Sequence, residues 1–397
     1  MTPPSPDRAR DTLWRTVCAL GVAQIISWGT LFYAIAVLGA AIARDLHVSE
    51  VVLFGAFTAG LFVSGIAAPA IGRHIDRHGG RAMLSFGSVT GAIACVVLAM
   101  SASAWQMVAG WLLAGMAMAA CLYDPAFAAL HRIAGSRYRR AVTVLTLFGG
   151  FASTVFWPLS QYLLDELGWR AAFLVYAALH VAVCLPLHLA FTTSAARAPA
   201  VPTRAHAGVP PAPARTTFAW LASALSLASF VAGALSAHLI GLLTTRGLGA
   251  RDAVLIGSLI GPMQVAGRLM EMAYGSRVPA RSMGYLAFGL LALALVLLPF
   301  VGAAWILALA FALLYGWSNG VMTIVRGTVP AELFGSHAYG ALLGRLARPQ
   351  FILRALAPAA LTFVFLVDAG RSASLGLLAL CGVIALAAYA LAARRPH

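Results

Sequence analysis

Hydrophobic and polar positions alternate along this chain on a long period. Apolar stretches of about 20 residues are separated by short polar connections. Each stretch can cross a hydrocarbon core about 30 Å thick as a helix rising about 1.5 Å per residue. The pattern predicts twelve spans, numbered here in chain order: 16–40, 51–72, 82–101, 105–130, 141–164, 171–193, 218–242, 252–272, 282–302, 304–326, 340–367 and 373–393. We therefore expect an all-α polytopic membrane protein whose solvent is the lipid bilayer.

One longer polar segment divides the spans into two sets of six. Residues 194–217 are rich in Pro and Ala and almost lack large apolar side chains. Such a segment cannot bury enough surface to fold, so it predicts a flexible linker on the cytoplasmic side. The expected domains are an N-terminal bundle at 1–193 and a C-terminal bundle at 218–397.

The arginines between the spans predict the orientation. One side collects seventeen: Arg8, Arg10, Arg15, Arg73, Arg77, Arg81, Arg132, Arg137, Arg139, Arg140, Arg197, Arg204, Arg215, Arg277, Arg281, Arg394 and Arg395. The other side has five: Arg44, Arg170, Arg246, Arg251 and Arg371. Because loops rich in Arg stay in the cytoplasm, both termini are predicted to be cytoplasmic. The excess of arginine on the cytoplasmic side explains the formal charge of +15, so no nucleic-acid partner is expected.

Composition excludes several classes of function. The chain is 61% hydrophobic and 10% charged, whereas soluble domains carry about 25% charged residues. All 27 basic residues are Arg, so the P-loop lysine and Schiff-base chemistry are excluded. The five cysteines are scattered without metal-ligand spacing. No convergent catalytic set is present, so we expect neither an enzyme nor a cofactor or metal, and any transport should be secondary.

The two halves also share a short pattern. Gly72-Arg73 followed by Asp76 ends span 2, and Gly267-Arg268 followed by Glu271 ends span 8. Weak repeats between membrane halves are typical of secondary transporters, which bind substrate near the midplane between the repeats.

Residues 72–81, Gly-Arg-His-Ile-Asp-Arg-His-Gly-Gly-Arg, resemble the loop signature G-x-x-x-D-R-x-G-R-R of the major facilitator superfamily. They lie in the expected place between spans 2 and 3, and Gly80 replaces a basic residue. With the twelve spans and the linker, the resemblance covers essentially the whole chain. It implies two six-helix bundles related by a pseudo-two-fold axis and transport by alternating access. It also implies that Gly72, Asp76, Arg77 and Arg81 form a cytoplasmic latch between the halves.

The resemblance also bears on the substrate. The antiporter signature of span 5 is not kept, because Trp157 stands before Pro158 where glycine is usual. The segment Ser27–Tyr33 is more similar to the monocarboxylate and oxalate transporter branches. We therefore expect a multi-pass inner-membrane protein, acting as a monomer, that moves a small organic anion together with a proton or a counter-anion. The alternative is an efflux pump for drugs or other toxic compounds.

Ionisable residues inside spans are the first candidates for the site, because burying their charge in the membrane is unfavourable. Arg354 lies near the middle of span 11 and is predicted to bind a substrate carboxylate; the alternatives are a structural ion pair with Asp124 or a place in a water-filled vestibule. Gln264 and Arg268 resemble the D-x-x-x-R of span 8 in monocarboxylate transporters, with Gln264 replacing the acid. Arg268 could instead belong to a second latch or pair with Glu271.

The remaining candidates have weaker signals. Asp124 in span 4 could carry a coupling proton or be a fixed partner for an arginine such as Arg132. The residues that could shape the substrate pocket, or could simply pack between helices, are Trp28, Tyr33, His238 and Asn319. His180 and His188 in span 6 are expected to be packing residues.

Overall fold

The computed structural model describes residues 6–192, 212–302, 305–335, 338–367 and 372–394. These residues are almost entirely helical, and they contain no strand. Most of the predicted linker lies outside the described residues, and Ala212 already begins a helix. Arg197, Arg204, Arg371 and Arg395 also lie outside them.

The described residues form fifteen α-helices, numbered in chain order: α1 Pro6–Ser27, α2 Ala34–Asp45, α3 Glu50–His78, α4 Gly80–Ala99, α5 Ala104–Cys121, α6 Tyr123–Ala134, α7 Tyr138–Gly150, α8 Ala152–Leu179, α9 Leu185–Phe191, α10 Ala212–Thr245, α11 Ala250–Tyr274, α12 Ala280–Leu297, α13 Trp305–Phe334, α14 Tyr339–Val367 and α15 Ser372–Ala393. Nine stretches of the described residues are long and apolar enough to cross a membrane, and the longest, Ala104–Phe191, joins several helices. The prediction of an all-α polytopic membrane protein is confirmed.

Several predicted spans are interrupted helices. A π turn at Trp28–Tyr33 joins α1 to α2, and a second one at His180–Cys184 joins α8 to α9. Leu122 has extended backbone angles and separates α5 from α6. Inside α8, Gly168 has φ 79°, a conformation that favours glycine, and it marks the predicted connection between spans 5 and 6.

Contacts divide the chain into two compact units. The first comprises Met1–Val201 and Ser336–Arg348, and the second comprises Pro202–Gly335 and Pro349–His397. The sequence placed all of 218–397 in one bundle, whereas the structure groups the first ten residues of α14 with the N-terminal unit. The physical reason is a close helix–helix contact, described below.

Glycines set the closest helix contacts within each unit. In the first, a Cβ at Gly60 of α3 or Gly115 of α5 would overlap the backbone of the other helix. In the second, Gly316 and Gly320 of α13 lie against the backbone of α11 at Ile260 and Gln264. Small residues allow helices to approach closely in a membrane, where packing rather than water exclusion drives association.

Candidate functional site: a helix-terminus latch and an arginine cluster

Asp76 lies in the last turn of α3 and binds the N-terminus of another helix. Its Oδ1 accepts a hydrogen bond from the Gly340 N–H at 2.7 Å, and its Oδ2 accepts one from the Ala341 N–H at 2.7 Å. These N–H groups open α14 and have no partner inside their own helix. The carboxylate therefore gains two charge-assisted hydrogen bonds and a favourable interaction with the helix dipole. The start of α14 is therefore the positive helix end that stabilises the Asp76 carboxylate.

Glycines make this contact possible. A Cβ added at Gly72 would overlap the carbonyl oxygen of Gly340, and one added at Gly344 would overlap the carbonyl oxygen of Ala68. A Cβ at Gly340 would meet Asp76 Oδ1 at 2.8 Å. Gly72 thus has a packing role that any side chain would disturb, and the crossing places the first turn of α14 over the carboxylate.

The arginines around Asp76 have different partners. Arg132 donates from Nη1 to the carbonyl oxygens of Ile75 and Asp76, and so satisfies the C-terminal end of α3. Arg81 donates from Nε to the carbonyl oxygen of Thr192 at 2.7 Å, just beyond the end of α9. Arg77 is exposed and makes no hydrogen bond or ion pair with the described residues. Among these residues of the loop, it is thus Asp76 whose side chain is hydrogen-bonded to α14.

Asp124 is buried in the first turn of α6, with 8% of its surface exposed. Electrostatic interactions link it to the Tyr138 and Tyr339 hydroxyls, which lie 3.0 Å from one another. Arg132, a partner considered from the sequence, donates from Nη1 to the end of α3, and its pairing with Asp124 stays a prediction. Asp124 is thus a buried acid beside the start of α14, in the same unit as Asp76.

Aromatic rings cluster around the π turn of span 1. Trp28 is buried and donates from Nε1 to Gln24 Oε1 at 3.1 Å. Its ring lies 5.1 Å from that of Tyr123 and 6.1 Å from that of Tyr33. Tyr33 is half-buried and meets Trp157 edge to face at 6.1 Å. Trp28 and Tyr33, chosen from the sequence as pocket residues, therefore belong to one aromatic cluster of the first unit.

In the second unit, Arg354 lies on α14 beside two polar residues of α13. It interacts electrostatically with Tyr315, whose hydroxyl is hydrogen-bonded to Asn319. Pro358 lacks an N–H, so the Arg354 carbonyl loses its usual helical donor. A Cβ at Gly233 of α10 would overlap that carbonyl, so Gly233 lets α10 approach the interrupted turn. Arg354 and Asn319 are thus brought together.

A second arginine of this cluster, Arg326, was missed by the sequence reasoning. Its guanidinium lies 5.6 Å from the centre of the Phe351 ring, in cation–π range. Gln350, buried next to Phe351, accepts a hydrogen bond from Ser229 of α10 at 3.5 Å. The predicted span 10 ended at residue 326, which made this arginine look terminal, but α13 continues for two turns to Phe334. The sequence signal that could have identified Arg326 is its place inside one long, mostly apolar run.

These helices hold little negative charge. Along α10, α13 and α14, Glu332 is the single acidic residue, and it lies in the last turn of α13. Arg281 binds it through Nε at 2.7 Å from Oε1. The arginine cluster, defined here as Arg326 and Arg354 with Tyr315, Asn319 and Gln350, therefore carries a net positive charge from its own residues.

The other candidates of the second unit lie on α11 and α10. Gln264 contacts Gly320 through its backbone, and Arg268 lies four residues later on the same face of the helix. Arg268 is buried at 5% exposure, and its Nε has no hydrogen-bond partner among the described residues. Glu271 lies three residues further along α11 and is also buried, and its pairing with Arg268 stays a prediction.

His238 bridges two helices. Its Nε2 lies 3.0 Å from the Pro358 carbonyl oxygen and 3.3 Å from Thr362 Oγ1. The ring therefore joins α10 to α14 one turn beyond Arg354. The described residues contain no group of three or more His, Cys, Asp or Glu side chains able to hold a metal ion.

Long apolar helices and close glycine contacts between them define a polytopic membrane protein rather than a soluble domain. The sequence model of the Major Facilitator Superfamily matches residues 20–358, and the chain belongs to this family. A comparison with curated proteins finds no significant match.

Solved structures show the same fold. The chain is similar to FucP, described as a Major Facilitator Superfamily transporter in the outward conformation, with TM-score 0.73 and 15% identity over 95% of this chain and 98% of that one. It is also similar to a variant of FucP described as the E. coli fucose:proton symporter, with TM-score 0.66 and 15% identity over 98% of this chain and 97% of that one. At this identity the likeness shows the fold.

Proposed function

We propose that this transporter carries a small organic anion across the inner membrane by alternating access. The observation that carries the proposal is the arginine cluster: two half-buried guanidiniums lie within helical spans, beside neutral polar side chains of α13 and α14. Charged residues inside membrane spans typically mark substrate pathways. A carboxylate from solution would supply a counter-charge to these arginines at the moment of binding.

The residues of the cluster suit a carboxylate. Guanidinium groups present planar N–H forks that match its two oxygens. Tyr315, Asn319 and Gln350 add neutral polar groups that can orient a ligand. Arg268, buried on α11 with its Nε lacking a described hydrogen-bond partner, is proposed as a further cation for the same anion. The resemblance of Gln264 and Arg268 to a carboxylate-binding pattern supports this assignment.

We further propose that the contact of Asp76 with α14 is the inner latch. α14 begins in the first unit and continues into the second, where it carries Arg354. Release of Gly340 and Ala341 from Asp76 would free the end of the helix that bears the substrate arginine. Arg81 and Arg77 would keep the loop at the cytoplasmic face, the side where both termini are proposed to lie, and Glu271 is the proposed counterpart of Asp76 in the second half.

Asp124 is the proposed carrier of a coupling proton. It is buried, it lies beside the start of α14, and a protein of the same fold is described as a proton symporter. Protonation would neutralise the Asp124 carboxylate, and so remove the electrostatic cost of keeping its charge buried while the transporter is closed. The transporter is proposed to act as a monomer, because one chain supplies both units.

Uptake by purified protein in proteoliposomes tests the proposal. The probes are ¹⁴C-labelled lactate, pyruvate, oxalate and succinate. The wild type should accumulate at least one of them, and Arg354→Met should raise its KM about tenfold or more, equivalent to about 1.4 kcal/mol. The matched control is Arg348→Met, which removes an exposed arginine from the same helix and should change KM less than about twofold.

Two outcomes would overturn the anion assignment. One is a wild type that transports none of the four probes; the other is a folded Arg354→Met protein with unchanged KM. The aromatic cluster around Trp28 favours one other candidate, export of a lipophilic toxic compound. Ethidium efflux from the same vesicles, unaffected by Arg354→Met, would support that function instead.

A further inference from the structure

Two π turns of the first unit are joined by a buried hydrogen bond. Thr30, in the π turn at Trp28–Tyr33, lies 2.9 Å through Oγ1 from Nε2 of His180, which opens the π turn at His180–Cys184. Thr30 is 1% exposed and His180 is fully buried. π turns are rare and are frequently found at functional sites, because the extra residue re-aims the side chains around it.

The direction of this hydrogen bond follows from the neighbouring groups. The Thr30 hydroxyl donates to the Ile26 carbonyl oxygen at 2.8 Å, and a carbonyl oxygen can only accept. The single hydroxyl proton is therefore used, so Oγ1 accepts the second bond and His180 donates from Nε2–H. His180 Nδ1 has no hydrogen-bond partner among the described residues, which fits a neutral ring. Gly91 makes room for the ring, because a Cβ there would lie 3.0 Å from His180 Cε1.

The π turn of span 1 sets the direction of Tyr33 relative to Trp28. Residues five apart in an α-helix point about 140° away from one another around the axis. A π turn, whose hydrogen bonds run between residues i and i+5, brings residue i+5 closer to residue i around the axis. Here the rings of Trp28 and Tyr33 lie 6.1 Å apart, and Tyr33 also meets Trp157. If the π turn relaxed to α-helical register, Tyr33 would leave this cluster.

We propose that His180 is a positioning residue for the transported solute. Through Thr30 it holds the π turn of span 1 in the register that places Trp28 and Tyr33 in one aromatic cluster. His180 does not contact the solute and acts through span 1. This inference rests on the proposed transport function and adds that the aromatic cluster meets the solute. The structural link between His180 and the rings stands by itself.

The first test measures the aromatic cluster directly. Full-length protein is labelled with 5-fluorotryptophan, and the ¹⁹F resonances of Trp28 and Trp157 are assigned with Trp28→Phe and Trp157→Phe. Thr30→Val removes the acceptor with little change of volume and should shift or broaden both resonances. Thr30→Ser keeps the hydroxyl and should leave them near their wild-type positions.

A second buried pair provides the matched control. Ser88 Oγ lies 2.8 Å from His188 Nδ1, so Ser88→Ala breaks a histidine–hydroxyl contact in the same unit but outside both π turns. It should leave both resonances in place. If Thr30→Val does not fold, His180→Phe replaces it and is compared with His180→Gln, whose amide N–H can still donate. Unchanged resonances in Thr30→Val, or equal shifts in Ser88→Ala, would overturn the proposal.

The second test measures transport with whichever of the four ¹⁴C-carboxylates the wild type accumulates. Thr30→Val should raise KM about fivefold or more with kcat changed by less, because the rings are misplaced rather than removed. An equal loss in Ser88→Ala would indicate a merely structural role. If the wild type transports none of the probes, the proposed anion function fails, while the fluorine spectra still decide the inference about His180.

Discussion

At the scale of single residues, the Asp76 carboxylate caps the N-terminus of another helix, α14. It accepts hydrogen bonds from two successive N–H groups of α14, and its backbone carbonyl is bound by Arg132. Hydrogen bonds to a charged group contribute about 1.5–3 kcal/mol each, roughly twice the neutral value. Asp76 was identified from its motif, but its partner atoms are backbone groups, which every sequence contains and no motif marks.

Replacing Asp76 by Asn should therefore weaken the contact with α14. The amide offers one acceptor oxygen and no charge, so we expect a loss of about 1–3 kcal/mol in the free energy of unfolding. Equilibrium unfolding in mixed micelles measures this loss. The control is Asp165→Asn, because Asp165 is exposed and should contribute within about 0.5 kcal/mol. Equal unfolding curves for the two variants would contradict this role for Asp76.

The two arginines of the cluster were not equally predictable from the sequence. Arg354 was predicted because it lies near the middle of an apolar run. Arg326 was overlooked because hydropathy placed the end of its span at that residue, whereas α13 continues to Phe334. A charge near a predicted boundary looks terminal until the helix is known to continue, so its place beside Phe351 required the structure.

At the scale of helices, the crossing of α3 and α14 depends on residues without side chains. Gly72, Gly340 and Gly344 lie where any Cβ would overlap the backbone or Asp76 of the facing helix. The sequence contains several glycines in span 2, but it does not say which glycine faces which helix. Spacing gives the face of a helix and leaves its partner undetermined.

Gly72→Ala should separate α3 from α14. The new methyl group would overlap the Gly340 carbonyl, and overpacking of this kind costs about 1–3 kcal/mol. Gly55→Ala on the same helix is the control, because a Cβ there has no neighbour within 4 Å and alanine favours helix by up to about 1 kcal/mol. Thermal melting of both variants should show destabilisation by Gly72→Ala alone. Equal melting temperatures would mean that α3 and α14 do not cross at Gly72.

The π turns are a second feature of this scale. Nothing in the composition of Trp28–Tyr33 distinguishes a π turn from an α-helical turn, so the sequence predicted a continuous span. The extra residue is stabilised by tertiary contacts, among them the bond from His180 to Thr30. His180 was expected to be a packing residue, and its burial agrees, but its polar partner came from a helix 150 residues away.

At the scale of the whole molecule, the family fold was predictable because it depends on hydropathy, loop charge and one loop motif. The boundary between units was not, since residues 336–348 group with the first unit through their contact with α3. A transporter in which one helix begins in one unit and continues in the other can connect ligand binding to gating along that helix. This connection is part of the proposed cycle.

At the scale of the whole molecule, we predict that transport is coupled to protons. An inward pH gradient should accelerate uptake of the ¹⁴C-carboxylate by the wild type, and Asp124→Asn should remove this acceleration because the amide cannot carry a proton. Exchange without a gradient should persist in the variant. Asp252→Asn, which changes an exposed acid at the start of α11, should retain the wild-type response. Wild-type uptake that ignores the pH gradient would contradict the role of Asp124.

The sequence by itself determined the solvent of the protein, its helical class and its family, and it marked Asp76 and Arg354 as candidate site residues. Those properties depend on hydropathy, net charge and local motifs, which are all local features of the sequence. Tertiary structure decided that Asp76 meets α14, that Arg326 lies beside Phe351, and that His180 is bonded to Thr30 in the π turn of span 1. These outcomes depend on which helix faces which, and hydrogen bonds between distant segments have no signature in either segment alone.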